Sequence, residues 1–85
     1  MKPIRLVYTP SAQNYLKKIH PSLKQAIRET IEELSLEPFK GKPLQGNKKG
    51  CYSLREGDYR VIYEVHLDDK VVHIIAVGHR KEIYR

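Results

Sequence analysis

Two groups of reactive side chains fall near the C-terminal end of this 85-residue chain. Arg60 stands in the run DYRVIYEVHL, and His79, Arg80, Lys81, Tyr84 and Arg85 follow the next apolar run. A guanidinium is a planar fork of donors that grips two phosphate oxygens at once. A histidine titrates near neutrality. A tyrosine is a weak base at its ordinary pKa of about 10, and surrounding cations lower that value by favouring the phenolate. These residue types together suit proton transfer beside a phosphate. Lys48, Lys49 and Arg55 lie just upstream and extend the positive charge.

Positioning these groups requires a hairpin and a scaffold behind it. Residues 59–67 alternate in character. Tyr59, Val61, Tyr63 and Val65 share one face of a strand, while Arg60, Ile62, Glu64 and His66 share the other. Asp68-Asp69 turns this strand into a second over 71–77, which Gly78 ends, leaving 79–85 as a tail or one helical turn. Residues 51–55 read as a shorter strand, joined through a tight turn at 56–58 where Gly57 is free to adopt a positive φ. Connections this short force an antiparallel meander.

Upstream, residues 4–8 (IRLVY) suit a buried first strand. Thr9-Pro10 then has the form of an N-cap followed by proline at the first helical position. Ala12, Tyr15, Leu16 and Ile19 fall on one helical face. Pro21 biases His20 away from helix and opens a second one, whose stripe is Leu23, Ala26, Ile27, Thr30, Ile31 and Leu34. Pro38 stops it. Residues 38–50 hold two prolines, three glycines and four lysines and read as a loop or an irregular approach to a strand, with Phe39 and Leu44 as anchors. The expected fold is α+β, in the order β-α-α-β-β-β. A helical hairpin packs on one face of a small antiparallel sheet, and Arg60 and Glu64 stand on the open face.

The totals agree with one domain over 1–85 and a small core. A net charge of +6 favours a polyanionic or acidic partner. One cysteine, Cys51, excludes an intrachain disulfide and suits a reducing, cytoplasmic setting. No apolar window is long enough for a membrane span or a signal peptide. His20, His66 and His73 lack metal-ligand spacing, so neither metal nor other cofactor is expected.

The stretch LREGDYRVIYEV, a further strand, and then VGHRKEIYR resemble the RelE/ParE toxin superfamily of type II toxin–antitoxin systems. The likeness covers essentially the whole chain and is most specific at Leu54-Arg55, at Gly57-Asp58-Tyr59-Arg60, and from His79-Arg80 through Tyr84. The closing segment is nearer the RelE branch, whose members cut mRNA in the ribosomal A site, than the ParE branch, whose members poison DNA gyrase. The resemblance implies metal-independent attack of a ribose 2′-hydroxyl on the adjacent phosphate, so no protein nucleophile is needed. Arg60 matches the family's strand arginine, and Arg80 matches its second arginine, as phosphate clamp or proton donor. Tyr84 matches a tyrosine that serves as general base or stacking group, and His79 is a candidate acid or base. Lys48, Lys49, Arg55, Lys81 and Arg85 are the expected RNA contacts. The best-known RelE members carry two lysines where this chain has Cys51 and Ser53, and the nearest lysines in sequence are Lys48 and Lys49. The resemblance also implies an acidic RelB-like antitoxin, ribosome and mRNA as partners, with operator DNA reached only through the antitoxin. A gyrase poison, or a binder with weakened catalysis, is the alternative.

Overall fold

Thr9 ties the first strand, the first helix and the middle of the sheet together. In the computed structural model, which describes residues 4–83, strand β1 (Arg5–Tyr8) runs directly into helix α1 (Pro10–Lys18). The Thr9 hydroxyl accepts from the Ala12 N–H at 3.2 Å, capping the helix, and donates to the Ile75 carbonyl at 2.7 Å. The Thr9 N–H donates to the Ile74 carbonyl at 3.0 Å. Pro10 costs no hydrogen bond at the first helical position, because that N–H would have no intrahelical acceptor. The chain turns extended at Ile19 and His20, and α2 (Pro21–Glu32) begins at once, with His20 as its N-cap. The near-absence of a linker makes the two helices a hairpin, as their sequence spacing requires.

The hairpin carries the chain from one edge of the sheet to the other. Its five strands stand in the order β1-β5-β4-β3-β2, with β2 (Lys42–Pro43), β3 (Cys51–Glu56), β4 (Tyr59–His66) and β5 (Val71–His79) following in sequence. The meander β3–β4–β5 is antiparallel, and β5 returns beside β1 in a parallel pairing. Two features differ from the sequence expectation. The segment 38–50 contributes a two-residue edge strand paired with β3; it has no room for alternation and includes a proline, which only an edge tolerates. The last strand also runs through Gly78 to His79 instead of stopping at Gly78.

The core lies between the helices and one sheet face. Ala12, Leu16, Ile27, Ile31 and Leu34 pack onto Leu54, Val61, Tyr63, Val72, Ile74 and Val77. On β5, Ile74 and Val77 are three apart yet face the same way. The register moves from Ile62↔Ala76 to Tyr63↔Ile74, which leaves Ile75 unpaired as a bulge and restores the inward phase. Its carbonyl is the one that the Thr9 hydroxyl reaches.

Tyr63 is fully buried and stacks on Tyr52 with ring centroids 5.5 Å apart. Its hydroxyl oxygen accepts from the Gly41 N–H at 2.9 Å, fastening the entry to β2. A side chain at Gly41 would meet the Ser53 carbonyl and the Tyr63 hydroxyl at 2.7 Å. Tyr63→Phe leaves the Gly41 N–H without its acceptor and is expected to cost about 1–3 kcal/mol. That lowers Tm by roughly 4–8 °C per kcal/mol in a chain of this size. Gly41→Ala is expected to lower it further, because one of the two nearest obstacles is backbone and the other is the hydroxyl of a buried ring. Thermal unfolding followed by circular dichroism checks both, and an unchanged Tm in Tyr63→Phe would refute the clamp.

Candidate nucleic-acid interface

Residues paired across a ladder project to the same side of a sheet, so register alone assigns the open face. It carries Cys51, Ser53 and Arg55 from β3, and Arg60, Ile62, Glu64 and His66 from β4. Gly78 and His73 of β5 stand opposite Arg60 and Glu64. The face is divided along its length. Arginines gather at the end by the β3–β4 turn, and Glu64, His66 and His73 gather at the other.

At the arginine end, Arg55 is the direct ladder partner of Arg60. Like charges placed opposite each other weaken a sheet by a few tenths of a kcal/mol, roughly, so the pair has no structural rationale and suits an anion. Arg60 is oriented through Nη1, which donates to the Gly57 carbonyl at 2.8 Å and the Tyr59 carbonyl at 2.9 Å. Gly57 adopts φ +58° in that turn, a conformation costly for other residues. Arg80 arrives at the same turn from the end of β5. Its N–H donates to the Asp58 carbonyl at 2.7 Å, and its Nε stands 3.6 Å from the Asp58 carboxylate. One turn therefore positions two arginines that are far apart in sequence.

The remaining sequence candidates divide. Arg55 and Arg60 line a common cavity of about 480 Å³ together with Lys40, Lys42 and Ser53. Lys40 is ion-paired to Glu33, which raises its pKa. Lys49 lines a neighbouring cavity of about 410 Å³ instead, and Lys48 ends the short 3-10 turn before β3. Lys81 is exposed just beyond β5. His79 pairs with Tyr59 in register and packs edge-on to its ring, 5.5 Å between centroids. That places it on the helix side of the sheet, away from Arg60. Its Nδ1 accepts from the Lys81 N–H at 3.1 Å, so a neutral ring carries its proton on Nε2. The same turn folds Ile83 against Gly78, with side-chain carbons 3.5 Å from where a Cβ on Gly78 would sit. Tyr84 and Arg85 lie outside the described residues.

Sequence reasoning missed Lys40 and Lys42. The only signal for them was a lysine-rich segment leading into β3, and its proline and glycines concealed the edge strand. Glu64 shares the open face with Arg60 but is engaged at its other end. It accepts from the Cys51 thiol at 3.7 Å and contacts His66 Nε2 at 3.0 Å, with the His66 and His73 rings 4.8 Å apart. Among the described residues, no group of three or more His, Cys, Asp or Glu side chains is arranged to hold a metal, and no helix is long and apolar enough to cross a membrane.

Comparison with known proteins adds to this geometry. Residues 6–84 match the family model described as the ParE toxin of the type II toxin–antitoxin system parDE. The chain is 36% identical to the toxin RelG of Mycobacterium tuberculosis over 98% of both proteins. It is 32% identical to the toxin RelE of the same organism, over 98% of this chain and 88% of that one. Among solved structures, the toxin–antitoxin complex RelBE2 of Mycobacterium tuberculosis superimposes with a TM-score of 0.84 at 35% identity, covering 92% of this chain and 99% of that chain.

Cys51 gives a test of the acidic end of the face. Burial pushes its thiol pKa up, the Glu64 carboxylate pushes it further, and Lys48 opposes them. A raised pKa leaves less thiolate at pH 8, so iodoacetamide is expected to alkylate Cys51 several-fold more slowly in the native protein than in denaturant. Glu64→Gln removes a raising influence and is expected to speed the native reaction. Equal native and denatured rates would contradict the arrangement.

Proposed function

We propose, since this chain belongs to the RelE/ParE family of type II toxin–antitoxin toxins, that it is an mRNA interferase of the RelE kind. It cleaves messenger RNA in the ribosomal A site and so arrests translation. The observation that carries this reading is the pair Arg55 and Arg60, directly opposed on an open sheet face and joined at one turn by Arg80. Such a grouping suits a phosphate that gains charge during reaction.

In the proposed reaction the ribose 2′-oxygen attacks the adjacent phosphorus in line. The bond from 2′-oxygen to phosphorus forms as the bond from phosphorus to the 5′-oxygen breaks, leaving a 2′,3′-cyclic phosphate. A base takes the 2′-hydroxyl proton, and an acid returns one to the leaving 5′-oxygen. Arg60 holds the non-bridging oxygens, and Arg80 stabilises the developing charge, a role that suits a group too weakly acidic to give up a proton readily. Tyr84 is assigned the base by its match to the family tyrosine. His79 is the less favoured proton carrier, since its ring sits on the helix side and Nδ1 is occupied. Arg55, Lys48, Lys49, Lys81 and Arg85 hold flanking phosphates of mRNA and ribosomal RNA.

The natural inhibitor is a RelB-like antitoxin that covers the basic face with an acidic segment and folds on it. It also supplies any contact with operator DNA. The solved complex RelBE2 supports this by likeness. The setting is the cytoplasm, where ribosomes are. Gyrase poisoning is a second reading, favoured by the ParE description of the matching family model and by Cys51 and Ser53 at the two lysine positions.

Induction of wild type and Arg60→Ala, with pulse-labelling of protein and DNA and primer extension on a reporter mRNA, separates the two. Protein synthesis is expected to stop first in wild type, with cuts inside translated codons. Arg60→Ala is expected to lose cleavage on the order of 100-fold or more while its Tm stays within a few degrees of wild type. An earlier halt in DNA synthesis would establish the gyrase reading, and a fully toxic Arg60→Ala would remove Arg60 from the site.

A further inference from the structure

Edge strand β2 is short, but its register places a charge. Lys42 pairs with Ser53, Ser53 pairs with Ile62, and Arg55 pairs with Arg60. Partners across a ladder face the same way, so Lys42 stands on the Arg60 side of the sheet. It lines the cavity that Arg55 and Arg60 also line. Two strand spacings across and two residues along put the Lys42 and Arg60 backbones roughly 12 Å apart. A gap of that size is within the combined reach of a lysine and an arginine side chain.

Three of the cations at this end of the face already have partners, while Arg55 stands beside Arg60 on the β3 side. Lys40 is bound to Glu33, Arg80 to Asp58, and Arg60 to two carbonyls of its own turn. Among the described residues, the Lys42 ammonium is in none of the ion pairs. β3 offers no lysine on this face, because Cys51 and Ser53 occupy it. In-line attack adds negative charge to a phosphate already singly charged, and guanidiniums gathered at the β3–β4 turn approach it from one side, leaving the β2 side unopposed without a cation there.

We propose that Lys42 is a catalytic residue whose ammonium group contacts the scissile phosphate opposite Arg60. This rests on the endonuclease reading above. Lys48 and Lys49, nearer β3 in sequence, then serve in docking and not in the chemical step. The Gly41 N–H bond to buried Tyr63 fixes the backbone beside Lys42, so the ammonium is presented from an anchored strand.

The test is reporter-mRNA cleavage on purified ribosomes by wild type, Lys42→Ala, Lys42→Arg, Arg60→Ala and Lys17→Ala. The last removes an equal charge from an exposed position on α1, behind the sheet. Lys42→Ala is expected to lower kcat on the order of 100-fold with KM little changed, Lys42→Arg to recover most of the loss, and Lys17→Ala to match wild type. Lys42 is exposed, so the Tm of Lys42→Ala should equal that of wild type, separating chemistry from folding. A Lys42→Ala variant that cleaves like Lys17→Ala overturns the inference, as does one that loses only KM. If Arg60→Ala is inactive in that same assay, the endonuclease reading survives without Lys42. A wild-type chain that cuts nothing, or an Arg60→Ala chain that cuts normally, overturns both.

Discussion

Parity along β4 governs this molecule. The strand has a neighbour on each side and helices on one face only, so each residue belongs either to the core or to the open surface, and a one-residue slip would exchange the two sets. Val61 and Tyr63 are fully buried among the helices, and that burial holds Arg60 outward. The Ile75 bulge serves the same end on β5, where it lets Ile74 and Val77 both face inward. Thr9 then bonds to the bulge and caps α1, so the helical layer is fastened at the point where the sheet changes phase.

The open face is less favourable to stability than it need be. Arg55 opposite Arg60 sets like charges side by side, and the ion pair of Arg80 with Asp58 at that end is exposed on both sides and worth at most about 1 kcal/mol. The chain gains its stability elsewhere, from an apolar interface between two helices and three central strands. A small domain tolerates a repulsive patch when the patch is segregated from its core, and here the sheet itself is the partition.

Much of this was legible in the sequence because it depends on periodicity. The stripes of α1 and α2, the Thr9-Pro10 start, the Pro21 restart and the two faces of β4 all follow from 3.6- and 2-residue repeats. What was hidden depends on pairing between distant segments. β2 is two residues with a proline, so no pattern announces it, and only its register with β3 puts Lys42 beside Ser53. Proximity in sequence favoured Lys48 and Lys49, which turn toward a neighbouring cavity or precede the strand. His79 drew attention by its chemistry and its place in a motif, yet strand parity carries it to the helix side. The meeting of Arg60 and Arg80 at one turn was implied by motif likeness but by no local spacing.

The parallel pairing of β1 with β5 joins Arg5 to Val71, nearly the full length of the chain. β5 is also an inner strand, so before it is made β1 has no partner in the sheet and β4 lacks one side. Pairings this distant in sequence form late and slowly, and a chain emerging from its N-terminus makes β5 only after the other four strands. The two arginines share that timing, because Arg80 reaches the Asp58 turn only when β5 is in place. The open face is therefore incomplete until β5 has been made and paired. Until then the edge of β4 that β5 will occupy has no strand beside it, so the last strand completes the sheet and the arginine cluster in one step.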